Sequence, residues 1–381
     1  MANYDYEIVN GRKIRVRPKE TVSEIDKNGY FRRQPNHFTT PFGDGENDLK
    51  AEGNKRYRLV WAKLCHWSNR AAIVRELEGL EDQISVNMVE HAPHEKNLGW
   101  EYVYNENNID PVLGDQFLSE AYYRADDDYQ GRTTVPALID TTTGKVVNND
   151  YNWLTTYFEV NFLPWHKKGA PELYPVELRE EIDKMNLWLF DNINNAVYRS
   201  SFSRSNEGHF DGVNTFYAAM DRLEKRLETN RFLFGDYVTD SDIRLYVTLA
   251  RLDIRYTAQL GETKRPLYTY KNLWGYAKEL WEIPAFAHHT DFAAIIRQGR
   301  IEGEEDGFRA STHYDLALPK IDWDAQWKVS TERAYLSSDP THPIYLGNNR
   351  RFDIDPTWYY LGAESPKKEE KETPPSDRKS V

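Results

Sequence analysis

Cysteine is nearly absent: Cys65 is the only one in 381 residues. One thiol cannot form an internal disulfide, so no framework of bridges holds this fold together. Long apolar runs are missing as well. No stretch approaches the ~18–20 residues that span a bilayer. The segment Met1 to Lys19 is polar and mixed in charge, with neither the apolar core of a secretory signal nor the Arg-rich, acid-poor character of a transit peptide. The expected location is the cytoplasm, with no membrane partner. Positive charge is in deficit, since 49 basic residues against 61 acidic ones leave a net charge of −12. A surface of that sign does not attract phosphate backbones, so no nucleic-acid partner is expected. The chain has no phosphate-cradling glycine loop, no serine nucleophile elbow and no zincin motif. His91 and His94 near Glu90 and Glu95, and the pair His288-His289, fit no ligand spacing, and no metal is expected.

Aromatic residues are abundant: 11 Trp, 25 Tyr and 16 Phe. Filling a core accounts for them first, and a pocket for flat ligands second. The length suits two domains, or one with large additions. Residues 1–55 are polar and rich in turn formers, and Arg32-Arg33-Gln34-Pro35 through Gly45 reads as an extended arm on a surface. Tyr57 to Ala62 alternates as a strand does. A helical pattern over Ala71 to Leu77 follows and ends near Gly79. Ile84 to Val89 is a second strand. Strand, helix and strand at these spacings form a βαβ unit with a parallel pair. Residues 91–130 then interrupt with a polar, acidic stretch. Val135-Pro136 opens a short strand to Asp140, the turn Thr142 to Lys145 returns it as a hairpin, and Tyr151 to Val160 suits a helix.

From Pro175 the pattern is helical. Leu178, Ile182, Met185, Leu189, Ile193 and Val197 predict one long helix over 177–197. Further helices are expected over 213–227 and 240–255. Thr239 and Asp242 form a capping-box variant, with Val238 and Ile243 placed as a hydrophobic staple. Residues 301–365 read as an irregular extension, and the charged run from residue 366 to Val381 as a disordered tail.

Cys65 falls between the first strand and the first helix. A thiol there faces the positive end of a helix dipole and free backbone N–H groups, an environment that favours thiolate. A buried, inert thiol is the plainer alternative. A reactive Cys65 has no resolving partner in its own chain, so a second, external thiol must release any mixed disulfide. Pro136 at a strand start has no N–H to give. A cis bond there would turn a backbone edge outward, where it could pair with a peptide-like ligand, although a trans bond is the commoner case. Tyr198 ends the expected long helix and could donate a proton to a leaving phenolate.

These residues resemble a known family. An α/β domain, a joint near 162–175 and a helical domain carrying Thr239-Asp240-Ser241-Asp242 are similar to a glutathione transferase. More narrowly, six segments resemble the Xi class, the glutathionyl-hydroquinone reductases. They are Leu233-Phe234-Gly235-Asp236 through Asp253, Asn194-Asn195-Ala196-Val197-Tyr198, Gly131-Arg132-Thr133-Thr134-Val135-Pro136, Val147-Asn148-Asn149-Asp150, and Asn272-Leu273-Trp274 with Ile283-Pro284. The resemblance covers about residues 28–298. It implies an α/β plus all-α fold: a thioredoxin-like N-terminal domain over 56–162 and a helical glutathione-transferase C-terminal domain over 175–300.

The activity the resemblance implies is reductive removal of glutathione from a glutathionyl-hydroquinone-like aromatic thioether, in a homodimer that uses glutathione as co-substrate. Carried onto this chain, Cys65 is the nucleophile and Tyr198 assists at the hydroquinone oxygen. Trp100, Val135, Asp150 and Tyr151 contact glutathione. Some positions depart from the pattern. His66 stands where the family has proline after the cysteine. Asp150-Tyr151 stands for a Glu-Ser pair that holds the γ-glutamyl end, and no tyrosine follows the last helix near Gly299-Arg300. The altered pair leaves room for a different low-molecular-weight thiol. A noncatalytic interaction protein and a glutaredoxin-type reductase of protein mixed disulfides are the competing readings.

Overall fold

The computed structural model describes residues 4–17, 23–91, 98–261, 265–296 and 322–338. The chain divides into two compact units, Met1–Glu24 with Arg33–Ala170 and Ile25–Arg32 with Pro171–Val381.

In the first unit, β1 (Tyr6–Val9) and β2 (Arg12–Arg15) form an antiparallel hairpin. Its turn uses Asn10 and Gly11, both at positive φ, the geometry that matches strand twist. β3 (Tyr57–Trp61) is buried along its whole length, as a central strand must be. α1 (His66–Leu77) carries the chain over to β4 (Ile84–Met88), which pairs parallel to β3 with Leu59 opposite Val86. The βαβ unit read from the sequence is therefore present. β5 (Glu90–His91) and β6 (Trp100–Glu101) make a short antiparallel ladder. α2 (Leu118–Ala125) follows. β7 (Ala137–Asp140) runs antiparallel to β3, and β8 (Lys145–Asn148) returns antiparallel to β7. The central sheet has the order β4-β3-β7-β8, and α3 (Leu154–Val160) packs on α1.

One expectation for this unit needs correction. The stretch 91–130 is not a plain interruption, because α2 lies in it and packs on β8. Its buried side includes Leu118, Ala121 and Tyr122, an apolar i, i+3, i+4 face, but the helix has only two turns and the signal is short. The segment after Arg32 is the extended surface arm read from the sequence, mostly exposed and anchored by one buried side chain. Phe42 is fully buried, with its ring 5.3 Å from that of Tyr57, 5.5 Å from Tyr157 and 5.4 Å from Phe162.

At the far end of α1, Glu78 caps the helix and meets His166, Nδ1 to Oε2 at 2.8 Å. His166 Nε2 donates to the Phe158 carbonyl at 2.9 Å. The Glu78 carboxyl beside one nitrogen and the Phe158 carbonyl at the other favour the protonated ring. Burial alone would lower its pKa, but the Glu78 carboxylate outweighs burial and raises it. Burial pushes the Glu78 carboxyl up.

The second unit is helical. α4 (Arg179–Leu189) leads into a π-helical turn, Phe190–Asn194, and then α5 (Ala196–Phe202). The expected single helix over 177–197 is thus two helices, and Tyr198 lies inside α5 rather than at a helix end. The buried Asn194 side chain in the wide turn donates to the Arg244 carbonyl and the Thr248 hydroxyl, at 2.9 and 2.8 Å. α6 (Asn206–Arg226) crosses α5. α7 (Asp240–Arg251) begins where the capping residues predicted it, and a second π-helical turn, Leu252–Tyr256, extends it. Asp242 accepts from the Thr239 N–H at 2.8 Å and the Thr239 hydroxyl at 2.9 Å. It also accepts from the Leu233 N–H and the Tyr276 hydroxyl. Val238 and Ile243 are fully buried at the staple positions. α8 (Thr257–Gln259), α9 (Lys271–Trp281) and α10 (Pro284–His288) complete the succession.

The described part of the extension, 322–338, is not irregular throughout. A short helix, Trp323–Trp327, buries Trp327 beside Trp274, Phe292 and Tyr246. Arg333 donates to the carbonyls of Leu227, Asn230 and Arg231 at the end of α6. The tail beyond 366, His94, Glu95 and the Gly299-Arg300 position lie outside the described residues. Among the described residues no helix is long and apolar enough to cross a membrane.

Candidate active site

Cys65 is the N-cap residue of α1, with extended backbone at φ −84° and ψ 115°. β3 ends at Trp61, and a tight turn follows in which the Cys65 N–H donates to the Ala62 carbonyl at 3.0 Å. Ser68 closes this turn. Its hydroxyl donates toward the Ala62 and Cys65 carbonyls and accepts from the Ala62 N–H. The first turn of α1 contains no acidic residue, so no negative side chain opposes the helix dipole at the thiol. Cys65 is buried, with 7% of its surface exposed.

The Cys65 thiol faces the carbonyl of Val135 at 3.8 Å, and the Val135–Pro136 peptide bond is cis. The loop leading to that bond is held carbonyl by carbonyl. Arg132 O accepts from Tyr129 Oη at 2.7 Å and from Gln34 Nε2 at 3.1 Å. Thr133 O accepts from the Trp100 indole at 3.1 Å. Thr134 O accepts from Tyr122 Oη at 2.7 Å. Burial raises the pKa of both tyrosines, which keeps their hydroxyls protonated as donors. Next in line, the Val135 N–H has no hydrogen-bond partner among the described residues. A free N–H beside a carbonyl, opposite a thiol, is the half of a β-ladder that a peptide-like thiol can complete.

Trp100 is buried and its ring stacks on His91, with centroids 3.8 Å apart. Its indole N–H is spent on the loop, so the chain uses Trp100 to hold Thr133 in place. Asp150 is buried, and its Oδ1 accepts from Asn36 Nδ2 and from the Asn152 N–H, both at 3.0 Å. Tyr151 stands half-buried against Trp67, with ring centroids 4.7 Å apart. The Arg33 guanidinium lies 4.4 Å from the Trp67 ring centroid and 5.6 Å from that of Tyr151. Arg70 lies 4.9 Å from the same Trp67 ring.

The fold therefore brings Cys65, Val135, Trp100, Asp150 and Tyr151 into one unit. Tyr198 belongs to the other unit, in an aromatic cluster with Phe31 at 6.4 Å and Phe202 at 5.5 Å between centroids. Sequence reasoning missed Arg33, Gln34 and Tyr122. The first two stand in a stretch without periodicity, and Tyr122 sits on the unrecognised helix. The dipeptide Arg32-Arg33 beside Gln34-Pro35 was the only local signal for the guanidinium.

The described geometry matches known proteins. The family model for the glutathione S-transferase C-terminal domain matches residues 197–279. Glutathione S-transferase omega-like 2 of Schizosaccharomyces pombe is 35% identical over 280 residues, covering 71% of this chain and 88% of that protein. Glutathionyl-hydroquinone reductase YqjG of Escherichia coli is 33% identical over 240 residues, covering 63% of this chain and 73% of that one. The glutathione-bound structure of YqjG superposes with a TM-score of 0.61 over 70% of this chain and 87% of the other, at 31% identity. The structure of the glutathione-S-transferase Xi from Phanerochaete chrysosporium superposes with a TM-score of 0.64, at 33% identity, over 71% of this chain and 87% of that one. With this agreement in sequence and in fold across most of each relative, the chain belongs to the Xi-class glutathione transferases, the enzyme family of the glutathionyl-hydroquinone reductases.

Proposed function

We propose that this enzyme is a cysteine-dependent reductase that removes glutathione from glutathionyl-hydroquinones and similar aromatic thioethers, with glutathione as its second substrate. The observation that carries the reading is the Cys65 thiol at the start of α1, 3.8 Å from the Val135 carbonyl across a cis peptide bond. The names of the E. coli relative and of its glutathione-bound structure support the substrate class.

The residues fit a peptide-like thiol. Val135 offers its N–H and C=O to the main chain of the glutathione moiety, which orients the bound sulfur toward Cys65. Asp150 and Tyr151 stand at the amino-acid end of that moiety, and Trp100 fixes the loop beneath it. Cys65 Sγ attacks the glutathionyl sulfur. A new S–S bond forms as the bond from sulfur to the aromatic carbon breaks. The electron pair passes to the ring carbon, which takes a proton, and Tyr198 holds the hydroquinone oxygen by a hydrogen bond. A second glutathione thiolate then attacks the mixed disulfide, releasing glutathione disulfide and the Cys65 thiolate. One glutathione thiol and the thioether sulfur become one disulfide, while the aromatic carbon is reduced by two electrons. The absence of a resolving cysteine agrees with this sequence of steps, since the second thiol arrives from solution. The assembly is a homodimer in this reading, which light scattering on the purified protein checks.

The test is a steady-state assay with a glutathionyl-hydroquinone and glutathione, following hydroquinone and glutathione disulfide together. Cys65→Ser is expected to lower kcat by at least about 10³-fold, the loss that follows removal of a covalent nucleophile. Intact-mass analysis of the wild type, quenched before the second glutathione is added, should show one glutathionyl group on Cys65. Turnover retained in Cys65→Ser, or a wild type that binds no glutathione, overturns the proposal.

A further inference from the structure

The two stretches that offer the candidate glutathione contacts are Thr134-Val135 and Asn149-Asp150-Tyr151. They lie in different parts of the chain, one before β7 and the other after β8. A buried hydroxyl helps to join them. Tyr122 Oη, on α2, donates to the Thr134 carbonyl at 2.7 Å and accepts from the Thr134 N–H at 3.2 Å. It also accepts from Asn149 Nδ2 at 3.2 Å and lies 3.3 Å from the Thr134 hydroxyl. Asn149 Nδ2 reaches the same Thr134 hydroxyl at 3.3 Å, which closes a small ring of hydrogen bonds. The far side of Asn149 is fixed as well, since its N–H donates to Phe38 O and its Oδ1 accepts from the Phe38 N–H.

Tyr122 itself has little freedom. It is fully buried, and its ring packs against Phe38 and Tyr129, at 5.4 and 5.3 Å between centroids. Burial raises its pKa, so the hydroxyl keeps the proton it gives to Thr134 O. No bond of this network reaches Cys65, Val135 or Asp150 themselves. The network instead fixes Thr134, the residue before Val135, and Asn149, the residue before Asp150. An error of about 1 Å in such spacing is enough to spoil an oriented complex.

We infer that Tyr122 is a positioning residue of the thiol site: its hydroxyl sets the distance between the Val135 backbone edge and the Asp150-Tyr151 turn, and so governs how tightly glutathione is held. The inference rests on the reading that glutathione occupies these two stretches.

Tyr122→Phe removes the hydroxyl and keeps the ring in its aromatic setting. The Michaelis constant for glutathione, and its dissociation constant by titration calorimetry, are expected to rise about fivefold to tenfold, the scale of one lost buried hydrogen-bonding group. The rate constant at saturating glutathione should change by less than about twofold, because the reacting atoms are untouched. Alkylation of Cys65 by iodoacetamide without glutathione should keep its wild-type rate. A merely structural role gives a different result, a lower melting temperature with an unchanged Michaelis constant, and that result overturns the inference. Thr134→Val is the second variant. It removes the hydroxyl between Tyr122 and Asn149 while leaving Tyr122 in place, and its effect should go the same way. The double variant should show less than the product of the two single effects, since both break one network. If Tyr122→Phe does not fold, Thr134→Val decides alone, and an unchanged dissociation constant refutes the inference. A wild type that binds no glutathione fails the underlying reading, and the inference with it. A wild type and variants that bind it equally fail the inference only.

Discussion

Gly212 in α6 is a site where two physical effects oppose each other in sign, and the structure decides between them. A methyl group added there would press on the backbone nitrogen of Ser200, with Ala196 O and Ser200 Cα only 2.8 Å away. All three atoms belong to the main chain of α5 and cannot rotate aside. Carbon needs about 3.5 Å from such neighbours, so the two helices must separate by roughly 0.7 Å or more. Helix propensity alone favours Ala over Gly by about 1 kcal/mol in a helix interior. Overpacking costs about 1–3 kcal/mol, toward the upper end where rigid backbone is struck. The balance is a destabilisation of about 2 kcal/mol for Gly212→Ala, or a fall of about 4–8 °C in melting temperature for a unit of this size. Differential scanning calorimetry reads it directly. The consequence extends to the proposed chemistry, because α5 carries Tyr198, and kcat should fall along with stability. A variant that melts at or above the wild-type temperature would refute the close-approach argument and leave propensity in control.

The buried Asp242 carboxylate accepts from the Leu233 and Thr239 N–H groups, the Thr239 hydroxyl and the Tyr276 hydroxyl, so Asp242→Ala strands several buried donors. A loss of about 3 kcal/mol or more is expected in denaturant titration, and a loss below about 1 kcal/mol would show that the cap is dispensable. The His166–Glu78 pair predicts a pH dependence. His166 binds its proton more tightly in the folded state, so its contribution is full below the ordinary imidazole pKa of about 6.5 and is lost as pH rises through the elevated folded value. The raised Glu78 carboxyl acts in the same direction, because a folded state that binds protons more tightly loses stability as pH rises. His166→Gln should flatten the melting-temperature profile between about pH 6 and 8, and an unaltered slope would count against the pair.

The parts of the fold legible in the sequence are those whose signal is local. β3, α1 and β4 declare themselves by alternation and by an apolar helical run within thirty-odd residues. Thr239 and Asp242 mark the start of α7 because a cap is a contact over three positions. The π-helical turn at Phe190–Asn194 escaped notice, because one extra residue in a helix barely disturbs an apolar period. Phe42 escaped for the opposite reason: its partners Tyr57, Tyr157 and Phe162 are distant in sequence, and nothing near it signals burial. The site divides the same way. Cys65 follows from the order strand, thiol, helix. The isomer of the Val135–Pro136 bond depends on tertiary surroundings, so residues 135 and 136 alone left it open. Arg33, Gln34 and Tyr122 reach the thiol site only through the folded chain.

The short segment Ile25–Arg32 belongs to the second unit although the chain on either side of it belongs to the first. Gly29 O accepts from the Arg204 N–H, and the Phe31 N–H donates to the Ser203 hydroxyl, 172 positions later. On the ribosome this segment emerges long before its partners. At about 5–20 residues per second, it waits roughly 9–34 s for Ser203 to be synthesised. A fragment cut to begin at Pro171 would never receive it, and the rings of Tyr198 and Phe202 would lose the cover of Phe31. The helical unit is therefore completed by residues translated well before the rest of it, so a gene divided between the two units must carry that short segment on the second piece as well.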